Sequence, residues 1–248
     1  FRLEKIIRRF FFKNGLFKVV AISDETKKSY LRFFSLKDVD LIYNGRSHIS
    51  KTANYKMVVT EIEHLKPTKQ SLVFCHPSRY NEKLKNHKML ISVFNRLRKD
   101  GKDVILLIMG EGFENAHELK SLAEDHIHFL GIKSNVTDYL FASDAFCLSS
   151  RYEGMPIALI EAFACGCVPV CTPAGGCADA ITHGETGFLS KSFSEEDFYV
   201  AVCQLILQKE TINKERLVNQ FHERFSMERC ARLYMDVYKK APRNLNDP

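Results

Sequence analysis

Two glutamates, Glu153 and Glu161, stand eight positions apart in the stretch RYEGMPIALIEAFACGCVPV, residues 151–170, with Gly154 and Pro156 between them. Paired carboxylates serve acid–base hydrolysis, whereas a helix start serves anion binding. The two chemistries need different geometries. On one continuous helix, eight residues span ~12 Å along the axis, and hydrolytic carboxylate pairs sit roughly 5–9.5 Å apart. Placing Glu153 in the loop before the helix weakens that objection without removing it. The spacing therefore disfavours a hydrolytic pair and favours one ligand gripped at two points. The plain alternative is a capped helix with two solvated glutamates.

Pro156 suits the first position of a helix and Gly166 its end, with good helix formers between them. The backbone N–H groups of Met155, Ile157 and their neighbours would then point outward unpaired, an arrangement that attracts phosphate. Gly154 would let a ligand approach the backbone closely. Further upstream, SRYNEKLKNHK at 78–88 supplies Arg79, Lys83, Lys85 and Lys88 directly after an apolar run. Cations placed there suit a diphosphate, although a solvated loop is the usual fate of such a run. The glycine-rich turn TPAGGCADAITHGETGFL at 172–189 reads as a second wall of the same crevice, or as ordinary turn chemistry. MGEGFEN at 109–115 is a weaker candidate. Asn115 holds the position of the third glycine of a dinucleotide fingerprint, and no acid ends the next apolar run. An NAD site is disfavoured, and the glycines read as a tight turn.

Those residues hang on a regular alternation. Short apolar runs at 72–76, 103–109, 127–131, 145–150, 167–171 and 187–190 read as buried strands. Between most of them lie amphipathic stretches such as HKMLISVFNRLRK, with Met89, Leu90, Val93, Phe94 and Leu97 on one face. This is the pattern of an α/β domain with a doubly wound parallel sheet, whose ligands lie outside the carboxyl ends of the strands. Ser194 is expected to cap a helix over SEEDFYVAVCQLILQK, followed by KERLVNQFHERF and a last amphipathic segment to about Lys240. Before the alternation, residues 3–11 read as a basic amphipathic helix that Gly15 ends. LFKVVAIS then reads as a buried strand, DETKKSYLRFF as a helix and VDLIYNG as a short strand. Residues 51–70 read as a polar linker.

The 248 residues can bury a sizeable core, and 45% hydrophobic with 27% charged residues is ordinary for a globular protein. The net charge is +6, and residues 1–50 carry the whole excess, with 11 Lys/Arg against 5 Asp/Glu. A neutral main domain argues against nucleic acid as a partner. No apolar run approaches the ~20 residues of a membrane helix. No signal-peptide pattern follows Phe1, and the missing initiator Met suggests a fragment or processed form. The eight cysteines lack CxxC pairing and lie mostly in apolar runs, so they read as core residues in a reducing cytosol, with no metal.

Together these motifs resemble the carboxyl-terminal half of a family-4 retaining glycosyltransferase of GT-B architecture, over most of the chain. SRYNEKLKNH is similar to that family's Gly-Arg…Lys-Asn-His segment, with Ser78 in place of glycine and one extra residue before Lys85. SSRYEGMPIALIEAFACGCVPVCTPAGG is similar to its Glu-x7-Glu block, and Asp179 stands where glutamate is usual. The resemblance implies that Arg79 and Lys85 hold the donor diphosphate. It also implies Glu153 at the donor sugar as the catalytic residue, with the backbone of Gly154, Met155, Pro156 and Ile157 around sugar and phosphates. Glu161 would bind the ribose and Ile132 would lie beside the base. The implied reaction moves a sugar from a nucleotide-sugar, a UDP-sugar favoured, to an acceptor hydroxyl with retention, without cofactor or metal. The setting would be polysaccharide or glycolipid assembly in the cytoplasm.

On the same resemblance, residues 1–50 are a remnant of an acceptor-binding domain, 71–225 the donor-binding domain, and 226–248 a crossover helix and tail returning to the first. A glycan or lipid-linked acceptor would be bound by the remainder of that first domain. The basic amphipathic start suits a core helix stripped of its neighbours, or a peripheral contact with the inner face of a membrane. A non-catalytic nucleotide-sugar-binding or scaffold module of the same fold is the alternative.

Overall fold

The computed structural model describes residues 2–14 and 16–240. Gly15, expected to end the first helix, lies outside the described residues, as do 241–248. In chain order, α1 (Arg2–Lys13), β1 (Val20–Ala21), α2 (Asp24–Phe34) and β2 (Asp40–Leu41) form a small amino-terminal unit around a two-stranded parallel sheet. Next come α3 (Tyr55–Leu65), β3 (Leu72–Pro77), α4 (Glu82–Lys85), α5 (His87–Lys99), β4 (Val104–Met109), α6 (His117–Ser121), β5 (Ile127–Gly131) and α7 (Val136–Ala142). The chain continues through β6 (Ala145–Leu148), α8 (Ile157–Ala164), β7 (Val168–Cys171), α9 (Gly176–Ala180), β8 (Phe188–Leu189) and α10 (Glu195–Gln208). It closes with α11 (Lys214–Gln220), a π turn at Phe221–Phe225 and α12 (Met227–Lys240).

Strands β3 to β8 form one parallel sheet in the order β5-β4-β3-β6-β7-β8. Parallel neighbours need crossover helices, and those helices cover both faces. Accordingly β4, β6 and β7 are buried along their whole length. Helices α5 and α10 pack together against β4, β7 and β8, while α7 and α8 pack on β3 and β7. The face of α5 read from the sequence is the buried one, and Phe94 meets Phe74 of β3 edge to face at 5.0 Å. Ser194 caps α10 by accepting the N–H of Asp197. The architecture is thus α/β with a doubly wound parallel sheet. Winding proceeds from β3 to β4 and β5 on one side, then resumes from β3 to β6 and beyond on the other.

Two expectations need correction. Residues 51–70 are not a linker but carry α3, which buries Val58 and Ile62 and packs on α7. One of its polar residues also serves the packing: Glu61 accepts from the Tyr139 hydroxyl at 2.6 Å and from Lys133 at 3.0 Å. Thr52, just upstream, donates to Asp138 of α7 through both its amide and its hydroxyl. LFKVVAIS forms only the two-residue β1, with Leu16 and Phe17 exposed. Apolar content without a covering layer does not make a buried strand. On α1 the stripe residues Ile6, Ile7 and Phe10 are likewise exposed, while Phe12 docks edge-on to Phe34 of α2 at 5.0 Å.

The last helix returns to the amino-terminal unit. Val237 and Lys240 of α12 line a cavity of about 820 Å³ together with Phe12, Phe17 and Leu36. At its start a parallel bridge joins Arg46 to Ser226, made by Arg46 N–H donating to the Phe225 carbonyl and Met227 N–H to the Arg46 carbonyl, both at 2.9 Å. A Cβ on Gly45 would lie 2.6 Å from that of Cys230, so the two segments cross with no room for a side chain. Among the described residues no helix is long and apolar enough to cross a membrane.

If α3 belongs to the cooperative core, Ile62→Ala should cost about 2–5 kcal/mol, the usual range for emptying a buried aliphatic site. Urea unfolding measures this, and an unchanged midpoint would mean that the helix is only a tether.

Candidate functional site

β3 and β6 are neighbours from which the chain winds in opposite directions, and a crevice opens at the carboxyl ends of such a pair. The loop after β3 contains Arg79 and Lys85, and the loop after β6 contains Glu153. Lys85 Nζ donates to Glu153 Oε1 at 2.7 Å, and the Ser150 hydroxyl donates to the same oxygen at 2.5 Å. Both side chains are largely shielded, 24% and 10% exposed. Hydrogen bonds to backbone carbonyls hold the two segments in register. Arg151 N–H donates to the Leu84 carbonyl and the Ser149 hydroxyl to the Lys85 carbonyl, each at 2.8 Å. Asn81 caps the short α4 that presents Lys85.

The Glu153–Gly154 backbone is pressed from behind by the turn after β7. Gly176 N–H donates to the Gly154 carbonyl at 2.6 Å. A Cβ on Gly175, whose φ is +45°, would sit 1.9 Å from the Glu153 carbonyl oxygen. Of the glycine-rich stretch at 172–189, Gly175 and Gly176 are thus the residues that pack against this segment. The glycines of MGEGFEN play a similar packing part, since a Cβ on Gly110 would sit 2.0 Å from the Ser78 carbonyl oxygen.

Helix α8 begins at Ile157, with Pro156 one position earlier as its N-cap and no side chain capping its first amides. Met155 is buried and its carbonyl accepts from Asn44 at 2.9 Å. The helix is apolar all round apart from Glu161, which is itself buried. Burial raises the Glu161 carboxyl above its ordinary range, and Arg46 opposes that rise, its Nε donating to Oε1 at 2.8 Å.

The other expected residues lie further out. Arg79 is exposed and faces Glu111 across the β3 and β4 loops, 3.7 Å away, rather than joining the Lys85–Glu153 pair. Ile132 follows β5, two strands from β3, and is exposed. Asp179, placed where glutamate was expected, accepts the amide of Asp24 at 2.7 Å and so completes the start of α2.

Four contacts thus join the carboxyl ends of the small sheet to the site: Ile22 on Gly154, Asp24 on Asp179, Asn44 on Met155 and Arg46 on Glu161. None of these was legible in the sequence, because each pairs residues more than a hundred positions apart. The hydrogen bonds around His76, near the carboxyl end of β3, were not legible either, although they join residues closer in sequence. His76 Nδ1 lies 2.8 Å from the Cys147 carbonyl, which can only accept, so Nδ1 carries the proton. Nε2 of His76 then accepts from the Ser78 hydroxyl, whose oxygen accepts Nε2–H of His87, at 2.9 and 3.0 Å. Ser78 thus ties two buried neutral imidazoles together where the resemblance expected glycine.

The cysteines are free, and Cys75, Cys147, Cys167, Cys171 and Cys177 are buried. Burial holds the thiols of Cys75, Cys147, Cys167 and Cys171 well above their ordinary range. Among the described residues no group of His, Cys, Asp or Glu side chains could hold a metal ion.

Burial pushes the His76 imidazole down to about 4, with His87 also lowered. A histidine with a depressed folded-state value stabilises the fold above its unfolded value and loses that contribution as pH falls through the folded one. Stability should therefore drop by about 3 kcal/mol between roughly pH 6.5 and pH 4 on account of His76 alone. Urea unfolding across that range should show a shallower decline for His76→Asn; equal slopes would contradict the neutral-imidazole assignment. At the crevice wall, Gly175→Ala must displace the Glu153 carbonyl, so a loss of about 1–3 kcal/mol is expected in the same assay.

A family model described as "Glycosyl transferases group 1" matches residues 58–222, more than half of the chain. The chain is 28% identical over 209 residues to an N-acetyl-alpha-D-glucosaminyl L-malate synthase of Bacillus anthracis, covering 82% of this chain and 54% of that protein. It is 28% identical over 147 residues to the N,N'-diacetylbacillosaminyl-diphospho-undecaprenol alpha-1,3-N-acetylgalactosaminyltransferase of Campylobacter jejuni, covering 57% and 39% respectively. The chain thus spans about half the length of the curated relatives it matches. A crystal structure of a glycosyltransferase from Rickettsia africae superposes with a TM-score of 0.81 at 20% identity, over 97% of this chain and 67% of that one. Anabaena Alr3699/HepE, solved in complex with UDP-glucose, superposes with a TM-score of 0.76 at 18% identity, over 90% and 63%. These likenesses show the fold, that of the Rossmann-like half of a GT-B glycosyltransferase. The matched segment includes both Lys85 and the Glu153–Glu161 block, and the chain belongs to the glycosyl transferases group 1 family.

Proposed function

We propose that the chain is the donor-binding half of a family-4 retaining glycosyltransferase. In this reading the bond between the anomeric carbon and the donor diphosphate breaks, the acceptor hydroxyl oxygen bonds to the same carbon, and its proton passes to the oxygen of the departing nucleoside diphosphate. The observation that carries the reading is the Lys85–Glu153 pair at the mouth of the β3–β6 crevice, beside the uncapped start of α8. Lys85 would exchange part of its contact with Glu153 for a phosphate oxygen, leaving the carboxylate to the sugar. The amides at Ile157 and beyond would face the phosphates, and Glu161 the ribose. Preorganised cationic and N–H donors of this kind stabilise a departing diphosphate. Arg79, exposed in the loop after β3, would reach the diphosphate by leaving Glu111. Ile132 would flank the base, and no metal or cofactor enters the scheme.

A UDP-sugar donor is supported by the likeness to a structure bound to UDP-glucose. A glycan or lipid-linked acceptor is supported by the relative named for transfer to a diphospho-undecaprenol sugar. That acceptor would be held by a part of the enzyme not contained in this chain. The exposed Ile6, Ile7 and Phe10 of α1, flanked by basic residues, suit a peripheral contact at the cytoplasmic face of a membrane.

Calorimetric titration of the chain with UDP-, GDP- and ADP-sugars should reveal one donor class that binds. Lys85→Ala and Glu161→Ala should each weaken it at least about tenfold, the loss of one charge-assisted contact. Absence of binding by all three classes would defeat the donor-site reading. The chain by itself is expected to bind donor yet transfer sugar poorly. Intact donor binding without turnover in the full-length protein would favour a scaffold role.

A further inference from the structure

The Arg46–Glu161 pair is not accounted for by the roles above. Arg46 comes from the segment after β2, 115 positions from Glu161 in sequence, and donates through Nε to Oε1 of a carboxylate seated in an apolar helix. Its backbone is pinned on both sides, since its amide donates to the Phe225 carbonyl and its carbonyl accepts from Met227. The guanidinium is therefore aimed by a fixed backbone rather than by a free loop. A carboxylate in such surroundings needs a partner to stay charged and a clamp to stay in one rotamer.

We propose that Arg46 is a positioning residue that fixes the Glu161 carboxylate through Oε1 and leaves Oε2 to accept the ribose hydroxyls of the donor nucleotide, an inference that rests on the donor reading above. A protonated carboxyl turned elsewhere would offer the ribose one poor acceptor; a clamped carboxylate offers a strong one. Of the charged groups on the elements packed against α8, Asp138 of α7 is bound to Thr52 and Asn135, Arg216 of α11 to Glu185, and Arg224 of the π turn to the Asp179 carbonyl. Arg46 is thus the cation that sets the state of Glu161, against burial that favours the neutral form.

The test is titration of the chain with UDP, GDP and ADP at about pH 6 and about pH 8. For the nucleotide that binds, Arg46→Met should lower affinity about tenfold at the lower pH. Much of that loss should be recovered at the higher pH, as the carboxyl ionises without help. Arg46→Lys should restore most of the affinity at both, and Glu161→Gln should bind weakly at both. If Arg46→Met binds as tightly as the unaltered chain while Glu161→Gln is weak, the donor reading stands and the positioning role is wrong. A pH-independent loss in Arg46→Met that lysine does not rescue would reduce Arg46 to a structural staple and overturn the proposal. Tighter binding in Arg46→Met would show that the arginine competes with the ribose, which also overturns it. Failure of all three nucleotides to bind the unaltered chain removes the donor reading itself.

Discussion

Two parallel strands from which a chain winds in opposite directions cannot share a crossover helix at their carboxyl ends. Between β3 and β6 this leaves a gap in the helical cover, and the rest of the site depends on that gap. The loops that rim it are the ones that must turn away from each other, so both are long enough to carry side chains inward. Their divergence is then checked by two hydrogen bonds, from the Arg151 amide to Leu84 and from the Ser149 hydroxyl to Lys85. The crevice is open because of topology and rigid because of those bonds.

Charge in the crevice is balanced in pairs, and each pair joins separate elements. Glu153 is answered by Lys85 from the neighbouring strand's loop, and Glu161 by Arg46 from the small sheet. A shielded carboxylate without a partner costs several kcal/mol. Each pair therefore depends on its partner element being docked. The small amino-terminal unit is consequently part of the electrostatics of the site, as well as a neighbour of it. Asn44 and Asp24 extend the same dependence to the carbonyl of Met155 and to Asp179.

The large sheet was legible in the sequence because strands buried on both faces admit only apolar residues, and VILLIM or AFCL leaves little choice. Helix α3 was not, because its burial is confined to Val58 and Ile62, and Glu61 is bound by Tyr139 and Lys133 while Lys56, Thr60, Glu63 and His64 stay exposed. LFKVVAIS misled in the opposite sense, since Leu16 and Phe17 stay exposed although Phe17 meets the ring of Phe11. Lys85, Glu153, Gly154 and Glu161 were readable through their spacing and through a family resemblance. Their partners Ser150 and Arg46 were not singled out, though Ser150 lies only three residues from Glu153. Arg46 illustrates the harder case, a contact between distant segments that no local pattern encodes. Ser78 is a milder one: as a departure from glycine it was visible, but only the two imidazoles around it give the hydroxyl a reason.

The bridge between Arg46 and Ser226 has a mechanical meaning. The chain passes between the small unit and the large sheet on its way out and again on its way back, and both passages run side by side, joined by two N–H to carbonyl hydrogen bonds. The returning segment therefore sets the position of the outgoing one, and with it the residue whose side chain reaches the buried carboxylate of α8. Residues 225–227 thus contribute to the grip on that carboxylate without touching it.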